Sequence, residues 1–177
     1  MSEDQQKNRK AIPRAVTPAY IDRAALAYLE KYASSSENLR RILSRKVERR
    51  CKLRGEEAAP FQEAIDETIA KVIRIGLVDD SRYAELRTAS LRRKGHSVRG
   101  IRARLSAKGL DGEAIAKALS EDDSDDAQAA AIYIRRRKLG PHRVTDREKY
   151  RQKDIASLAR AGFSFRIAAA AVDGTGE

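Results

Sequence analysis

Apolar side chains recur every three or four residues in nine separate segments of this 177-residue chain. In the fifth segment, Val98, Ile101 and Leu105 have the spacing that places side chains on one face of an α-helix. None of the segments shows the strict alternation of apolar and polar residues that a half-buried strand requires. The chain is therefore predicted to be all-α. No membrane-spanning helix is expected, because no apolar run reaches the roughly 18 residues that a span needs.

Helix-capping residues mark where several of these segments begin and end. Ser, Thr and Asp favour the N-cap because their side-chain oxygens accept hydrogen bonds from the first backbone N–H groups. The predicted starts are Thr17 before Pro18, Ser34 with Glu37, Ser97, and Thr145 with Glu148. Gly95 and Gly109 follow two of the segments. A helix C-terminus often needs a residue in the left-handed conformation there.

Two pairs of adjacent aspartates, Asp79-Asp80 and Asp125-Asp126, precede the fourth and seventh segments. Paired carboxylates could hold a metal or transfer protons. Both pairs, however, stand at the start of a helix, where carboxylates cap N–H groups and interact favourably with the helix dipole. No third acidic residue joins the first pair on one helix face. The favoured interpretation is therefore helix initiation, and a metal or nuclease site is the alternative.

The nine segments form groups of three that repeat weakly. Residues 105–119 align with residues 158–172, and Gly109 stands opposite Gly162. The repeat predicts three tandem three-helix modules that lean on each other and form an elongated, curved, right-angled helical array. The predicted organisation is a disordered basic tail over 1–16, modules over 17–76, 77–121 and 122–172, and a tail over 173–177.

Positive charge is concentrated in particular helices. The chain has 37 Lys and Arg against 26 Asp and Glu, and its formal net charge is +11. Residues 82–108 hold nine cations and one acid, whereas residues 110–126 hold one cation and seven acids. Recurring basic helices indicate a polyanionic partner, and arginine forks suit phosphates and carboxylates. The predicted partner-binding residues are Arg82, Arg87, Arg92, Arg93, Lys94, Arg99, Arg102, Arg104, Lys108, Arg135, Arg136, Arg137 and Lys138.

Residues suited to catalysis are sparse. Cys51 is the single cysteine, which excludes an internal disulfide and a CxxC zinc motif and fits a reducing compartment. His96 and His142 follow helix ends and belong to no recognisable catalytic pattern, and no glycine-rich nucleotide motif occurs. The N-terminus lacks the apolar run of a signal peptide. We therefore expect a cytoplasmic protein with no catalytic residue, no cofactor and no metal.

The segment GLVDDSRYAELRTASLRRKGHSVRGIRARLSAKGL, residues 76–110, resembles the RecX family, regulators of the bacterial RecA recombinase. The shared pattern begins with an apolar residue, Asp, Asp or Glu, any residue, Arg, Tyr or Phe, and Ala. A basic helix end with glycine follows, and then Leu-x-x-Lys-Gly and Ile, Val or Leu. The matching residues are Val78, Asp79, Asp80, Arg82, Tyr83, Ala84, Arg93, Gly95, Ile101, Leu105, Lys108, Gly109 and Leu110. The resemblance extends over about residues 17–172 and weakens in the last module.

The resemblance implies tandem three-helix repeats, which the residues suggest independently. It implies a monomer that binds RecA, chiefly as a filament on single-stranded DNA, and lies in the helical groove of that filament. It implies suppression of the recombinase, ATPase and co-protease activities of RecA, in DNA repair and the SOS response. No catalytic residue or cofactor is implied. Direct binding to DNA would be weak and salt-dependent.

A helix-turn-helix-like DNA-binding transcription regulator is the alternative, because it would use the same charge and the same short helices. Such a protein needs a defined recognition helix and usually a dimer with spaced half-sites. Basic helices recur in all three predicted modules, and no single helix stands out for that role.

Overall fold

The structure, a computed structural model, describes residues 12–175. Over that range the chain forms nine α-helices and no strand, which confirms the all-α prediction. The helices are α1 (Pro18–Leu29), α2 (Ser36–Arg54), α3 (Gln62–Arg74), α4 (Asp80–Arg92), α5 (Val98–Ala107), α6 (Gly112–Ser120), α7 (Asp126–Arg137), α8 (Arg147–Arg160) and α9 (Phe165–Asp173). Two short 3₁₀ turns, Ala59–Phe61 and Gly140–His142, precede α3 and α8.

The chain divides into two compact units between Val78 and Asp79. The first unit contains α1–α3, which enclose one hydrophobic core because each helix carries an apolar face. The buried residues of this core are Val16, Ile21, Ala25, Leu39, Leu43, Val47, Cys51, Ile65, Ile69, Val72 and Val78. Cys51 is therefore a core side chain of this unit.

The segment before α1 packs against α2 in the first unit. Val16 is only 5% exposed and belongs to the core. Arg50 Nε donates a hydrogen bond to the carbonyl oxygen of Arg14 at 2.6 Å. The tail predicted over 1–16 therefore ends earlier than expected, because Val16 is buried between the helices. Residues 1–11 of that predicted tail lie outside the described residues.

The second unit contains α4–α9 and two hydrophobic cores. The core of α4–α6 consists of Ala84, Leu91, Ile101, Leu105, Leu110, Ile115 and Ala118, with Tyr83 and Leu119 partly buried against it. The core of α7–α9 consists of Ala129, Ala130, Ile134, Ile155, Leu158, Phe163, Ala168 and Val172. Each group of three helices thus has its own core, and the fold is a tandem of three-helix modules, as the repeat predicted.

The two modules of the second unit meet where the α4–α5 turn lies against α7 and α8. Ser97 Oγ donates a hydrogen bond to the carbonyl oxygen of Ala161 at 2.7 Å. Gly162 has a φ of 96°, and a Cβ atom there would lie 2.7 Å from Ser97 Oγ. Gly95 has a φ of 76°, and its Cβ atom would lie 2.7 Å from the backbone nitrogen of Tyr133. Glycine is required at both positions, because both backbones are left-handed and a Cβ atom would clash with the α7 backbone at Gly95 and with the Ser97 side chain at Gly162.

Most of the predicted helix-end signals are confirmed. Four predicted N-caps accept a hydrogen bond from the backbone N–H three residues further on: Thr17, Asp79, Ser97 and Asp125. Gly109 is left-handed, with a φ of 77°, as is Gly95. These signals succeed because a cap is a contact between residues that are close in the sequence.

Two predicted helix starts are wrong by one residue. Ser35, rather than Ser34, caps α2, because Ser35 Oγ accepts the backbone N–H of Asn38. Ser34 Oγ instead accepts a hydrogen bond from the side-chain Nδ2 of Asn38 at 2.7 Å. Helix α8 is preceded by Asp146 in a left-handed conformation and without a side-chain cap, so Thr145 does not cap it.

Candidate functional site

The predicted cations lie on α4, α5 and α7 of the second unit or just beyond the ends of these helices. Arg82, Arg87 and Arg92 belong to α4, with Arg93 and Lys94 after it; Arg99, Arg102 and Arg104 belong to α5, with Lys108 after it; Arg135, Arg136 and Arg137 close α7, before Lys138. Cations near a helix C-terminus interact favourably with the helix dipole. All are exposed except Arg87 and Lys108, which are half-buried, and Arg92, which is buried.

Arg92 is an internal residue of the second unit rather than part of its surface. Its side chain is 6% exposed, and its Nε and Nη1 atoms lie 2.6 Å from carboxylate oxygens of Asp122 and Asp126. Nη1 also donates to the carbonyl oxygen of His96 at 3.2 Å. Burial works to lower the pKa of Arg92, but the two carboxylates outweigh burial and raise the pKa above its ordinary value. Its predicted role in partner binding is therefore replaced by a structural one.

The two aspartate pairs start helices, as predicted, but the second pair also has another task. Asp79 and Asp125 each cap a helix by accepting a backbone N–H. Asp126 Oδ1 accepts hydrogen bonds from Arg92 at 2.6 Å and from the backbone N–H of Val98 at 2.9 Å. Asp126 therefore ties the start of α7 to the end of α4 and the start of α5.

Two other classes of site, a metal centre and a membrane span, are absent from the described residues. Between residues 12 and 175, no three or more His, Cys, Asp and Glu side chains come together in a group that could hold a metal ion. The helices of the same range include none that is both long and apolar enough to cross a bilayer.

A groove with a volume of about 530 Å³ lies between α5, α7 and α8 of the second unit, and we call it the basic groove. Each of the three helices contributes one arginine to it: Arg104 from α5, Arg137 from α7 and Arg160 from α8. The other lining residues are His96, Gly100, Ala103, Ala107, Tyr133, Ser157 and Ala161. The lining thus combines guanidinium groups with small side chains and contains no carboxylate.

Further cations stand close to the basic groove. Burial lowers the pKa of His96 below its ordinary value, and repulsion by Arg104, Arg136, Lys94 and Arg87 lowers it further. Arg136 Nη1 also donates a hydrogen bond to the carbonyl oxygen of Lys94 at 2.8 Å, which ties the end of α7 to the end of α4. The uncharged form of His96 is therefore favoured, and the surrounding positive charge is carried by the arginines and the lysine.

Within residues 12–175, the arginines of the basic groove have no acidic partner. In the part of the chain that the structure describes, Arg104, Arg137 and Arg160 form no ion pair with a carboxylate. Arg137 lies over the ring of Tyr133, with its guanidinium carbon 5.0 Å from the ring centroid. The Tyr133 ring packs edge-on against Phe163 at a centroid distance of 5.7 Å. Cations held close together without counter-ions create a field that attracts anions.

The structure brings only part of the predicted set to the basic groove. Arg104 and Arg137 line it, and Arg87, Lys94 and Arg136, like Arg104, lower the pKa of His96 by repulsion. The other eight predicted residues neither line the basic groove nor act on the pKa of His96: Arg82, Arg92, Arg93, Arg99, Arg102, Lys108, Arg135 and Lys138.

Of the four lining residues that can carry a positive charge, Arg160 and His96 are absent from the predicted set. Arg160 ends α8 and has no cation next to it in the sequence, so the local charge pattern carries no signal for it. His96 lies inside the basic stretch 82–108. Its place in that stretch is the one feature of the sequence that could have identified it as a groove residue.

Tandem three-helix modules, each with its own hydrophobic core, place the chain among all-helical proteins built from repeated three-helix units. A family model described as "RecX, second three-helix domain" matches residues 79–119. The regulatory protein RecX of Myxococcus xanthus (strain DK1622) is 40% identical over 165 residues, which cover 91% of this chain and 88% of the relative. The chain belongs to the RecX family, which confirms the resemblance seen in the sequence.

Other relatives agree with this assignment. The regulatory protein RecX of Agrobacterium fabrum (strain C58 / ATCC 33970) is 35% identical over 149 residues, which cover 82% of this chain and 78% of the relative. A crystal structure of RecX from Lactobacillus salivarius matches with a TM-score of 0.59 and 23% identity, over 89% of this chain and 95% of that one. At that identity the likeness concerns the fold, and it agrees with the three-helix modules.

Proposed function

We propose that this protein binds the RecA recombinase, mainly as a filament on single-stranded DNA, and inhibits its recombinase, ATPase and co-protease activities. It would act in the bacterial cytoplasm, in DNA repair and the SOS response, as a monomer that lies in the helical groove of the filament. No catalytic residue or cofactor is needed for this role. Membership of a family of regulatory proteins supports the regulatory part of the proposal.

One observation carries the binding part of the proposal. Residues 79–119, which match the family model, supply His96 and Arg104 to the basic groove. A groove whose guanidinium groups are unpaired within residues 12–175 fits an anionic partner, since arginine pairs with carboxylates and phosphates through parallel hydrogen bonds. The exposed cations outside the groove, such as Arg99 and Arg102 on α5, would speed association with an acidic filament surface.

The proposal is tested by adding the protein to RecA filaments on circular single-stranded DNA. We expect slower ATP hydrolysis and slower strand exchange at fewer than one molecule per RecA protomer, because a protein lying in the filament groove would block filament extension. Unchanged hydrolysis and unchanged strand exchange at an equimolar ratio would contradict the proposed function.

A matched pair of variants tests whether the basic groove takes part in inhibition. The double variant Arg104→Glu, Arg137→Glu reverses two charges of the groove, and we expect it to need a much higher concentration for the same inhibition. The control, Arg23→Glu with Arg74→Glu, changes the net charge equally at exposed positions of the first unit. Inhibition should survive in the control if the position of the charge matters more than its total.

A helix-turn-helix-like transcription regulator has less support, because the third helix of each module is poor in cations. In three-helix DNA readers of the homeodomain type the third helix enters the major groove. Helix α6 holds one lysine and one glutamate, α9 holds one arginine and one aspartate, and α3 holds two cations and three acids. A sequence-specific footprint on duplex DNA without RecA would favour this function over the proposed one.

A further inference from the structure

We propose that the basic groove binds an acidic polypeptide segment in which carboxylate side chains are interspersed with small or apolar ones. This inference rests on the proposed function, which identifies the partner protein that would carry the segment. The chemistry of the segment follows from the lining of the groove alone.

The charge of the groove calls for carboxylates or phosphates at several points. Arg104, Arg137 and Arg160 come from three different helices, so their guanidinium groups reach the groove from separate backbones. None of them is neutralised by an acidic residue between positions 12 and 175. An extended ligand with more than one negative group satisfies this arrangement better than a single anion, since each group can pair with its own arginine.

The uncharged part of the lining favours a polypeptide. Gly100, Ala103, Ala107 and Ala161 present hydrogen atoms and methyl groups rather than hydrogen-bonding side chains. Small residues let another chain approach closely, and apolar side chains of that chain gain by leaving water. A segment that alternates carboxylates with alanine or leucine would match both the arginines and these small residues.

A single-stranded nucleic acid fits the lining less well. Proteins that bind single strands usually stack bases on exposed aromatic rings. Tyr133 is the aromatic residue of the groove lining, and its ring is covered by Arg137 and packed against Phe163. Its hydroxyl also lies 3.2 Å from Ser157 Oγ, which holds the ring in place. The groove therefore offers charge without an open tyrosine, phenylalanine or tryptophan ring on which a base could stack.

The groove is already shaped for a ligand by internal contacts of the second unit. A Cβ atom on Gly100 would lie 3.0 Å from the carbonyl oxygen of Ala161, so α5 and α8 meet almost backbone to backbone. Ser97 Oγ bonds to that same carbonyl oxygen at 2.7 Å. Arg92 holds the carbonyl oxygen of His96 from the other side of the turn. A preformed site loses little conformational entropy on binding, which favours affinity.

The test measures binding of a short fluorescein-labelled peptide, in which glutamate alternates with leucine and alanine, by fluorescence anisotropy. Two further probes are the same peptide with lysine in place of glutamate and an oligothymidylate of equal negative charge. We expect the acidic peptide to bind about tenfold more tightly than the oligothymidylate, and the lysine peptide not to bind. Tighter binding of the oligothymidylate would overturn the inference in favour of a nucleic-acid groove.

A triple variant locates the binding. Arg104→Gln, Arg137→Gln and Arg160→Gln together should weaken peptide binding by about tenfold or more, since each lost pair costs affinity. The control removes three exposed arginines of the first unit in the same way: Arg23, Arg49 and Arg74. Equal losses in both variants would mean that only net charge matters, and would overturn the inference.

A measurement on the unmodified protein covers the case in which the triple variant does not fold, as judged by circular dichroism. Titration of the acidic peptide should shift the NMR amide signals of Gly100, Ala103 and Ala161, which line the groove. Shifts confined to the first unit would overturn the inference.

The RecA assay separates this inference from the proposed function. If the unmodified protein inhibits RecA and the triple variant inhibits it equally, the groove inference fails and the proposed function stands. If the unmodified protein leaves RecA unaffected but binds the peptide through the three arginines, the proposed function fails and the groove inference stands.

Discussion

Arg92 Nη1 lies 2.6 Å from Asp126 Oδ1, in an ion pair that joins the end of α4 to the beginning of α7. Arg92 Nε bonds to Asp122 at the same distance, so one buried guanidinium holds two carboxylates from the following module. The neighbouring Arg93, by contrast, is exposed. Two adjacent arginines of the same helix end thus have opposite roles, one internal and one on the surface.

Replacement of Arg92 should destabilise the second unit strongly. The change Arg92→Ala leaves Asp122 and Asp126 without their partner in a poorly solvated site, and we expect a loss of about 3 kcal/mol in the free energy of unfolding. The matched control Arg93→Ala should change it by less than about 0.5 kcal/mol, because that side chain is exposed. Urea unfolding followed by circular dichroism measures both. Equal stability of the two variants would contradict the internal role of Arg92.

The junction between the two modules of the second unit should not tolerate a side chain at Gly162. Its φ is 96°, and a Cβ atom would lie 2.7 Å from Ser97 Oγ, so Gly162→Ala combines backbone strain with a steric clash. We expect a loss of about 1–3 kcal/mol in the free energy of unfolding. The control Gly112→Ala places a Cβ atom in open space and should be neutral or slightly stabilising. Thermal unfolding of both variants decides whether the close approach exists in solution.

The stability of the second unit should fall in acid partly because of Asp154, whose side chain is 3% exposed. Burial works to raise its pKa, but hydrogen bonds from Arg143 and from the backbone N–H of Gly140 outweigh burial, and the pKa lies below its ordinary 3.8. As the pH falls, the unfolded chain is therefore protonated first. The stabilisation by the carboxylate is present above pH 3.8 and is lost as the pH falls through the lower pKa of the folded protein.

The variant Asp154→Asn should make this dependence visible. At pH 7 we expect its free energy of unfolding to be about 2 kcal/mol lower than that of the unmodified protein. The difference should shrink as the pH falls below 3.8. The exposed Asp123→Asn serves as a control and should follow the unmodified protein throughout. A difference for Asp154→Asn that stays constant with pH would contradict the assignment of the ion pair to Arg143 and Asp154.

Binding of an acidic ligand in the basic groove should become stronger as the pH falls through the range in which histidine titrates. In the unliganded protein burial lowers the pKa of His96, and Arg104, Arg136, Lys94 and Arg87 lower it further by repulsion. A bound carboxylate would offset that repulsion and raise the pKa, so that binding takes up a proton. The affinity for the acidic peptide should therefore rise as the pH falls towards and below the ordinary histidine pKa of 6.5, and the variant His96→Asn should lose this dependence. An unchanged pH profile in that variant would exclude His96 from the groove.

Helix positions and family membership could be read from the sequence because their signals are local. Thr17, Asp79, Ser97 and Asp125 cap the helices as predicted, since a cap links residues three positions apart. The predicted N-cap of α2 is wrong by one residue. Ser34 and Ser35 are chemically alike, and only the folded backbone determines which hydroxyl accepts the backbone N–H of Asn38.

The tertiary structure decided which of the predicted cations lie on the surface and which are buried. The stretch from Arg92 to Lys94 reads as three equivalent positive charges, and the sequence by itself determined only their number and their place at a helix end. Packing against Asp122 and Asp126 withdraws Arg92 from the surface. Packing also brings arginines from α5, α7 and α8 around one groove, and Arg160 is found only in this way. Caps depend on nearest neighbours along the chain, whereas burial and charge clustering depend on neighbours in space, which are many residues apart in the sequence.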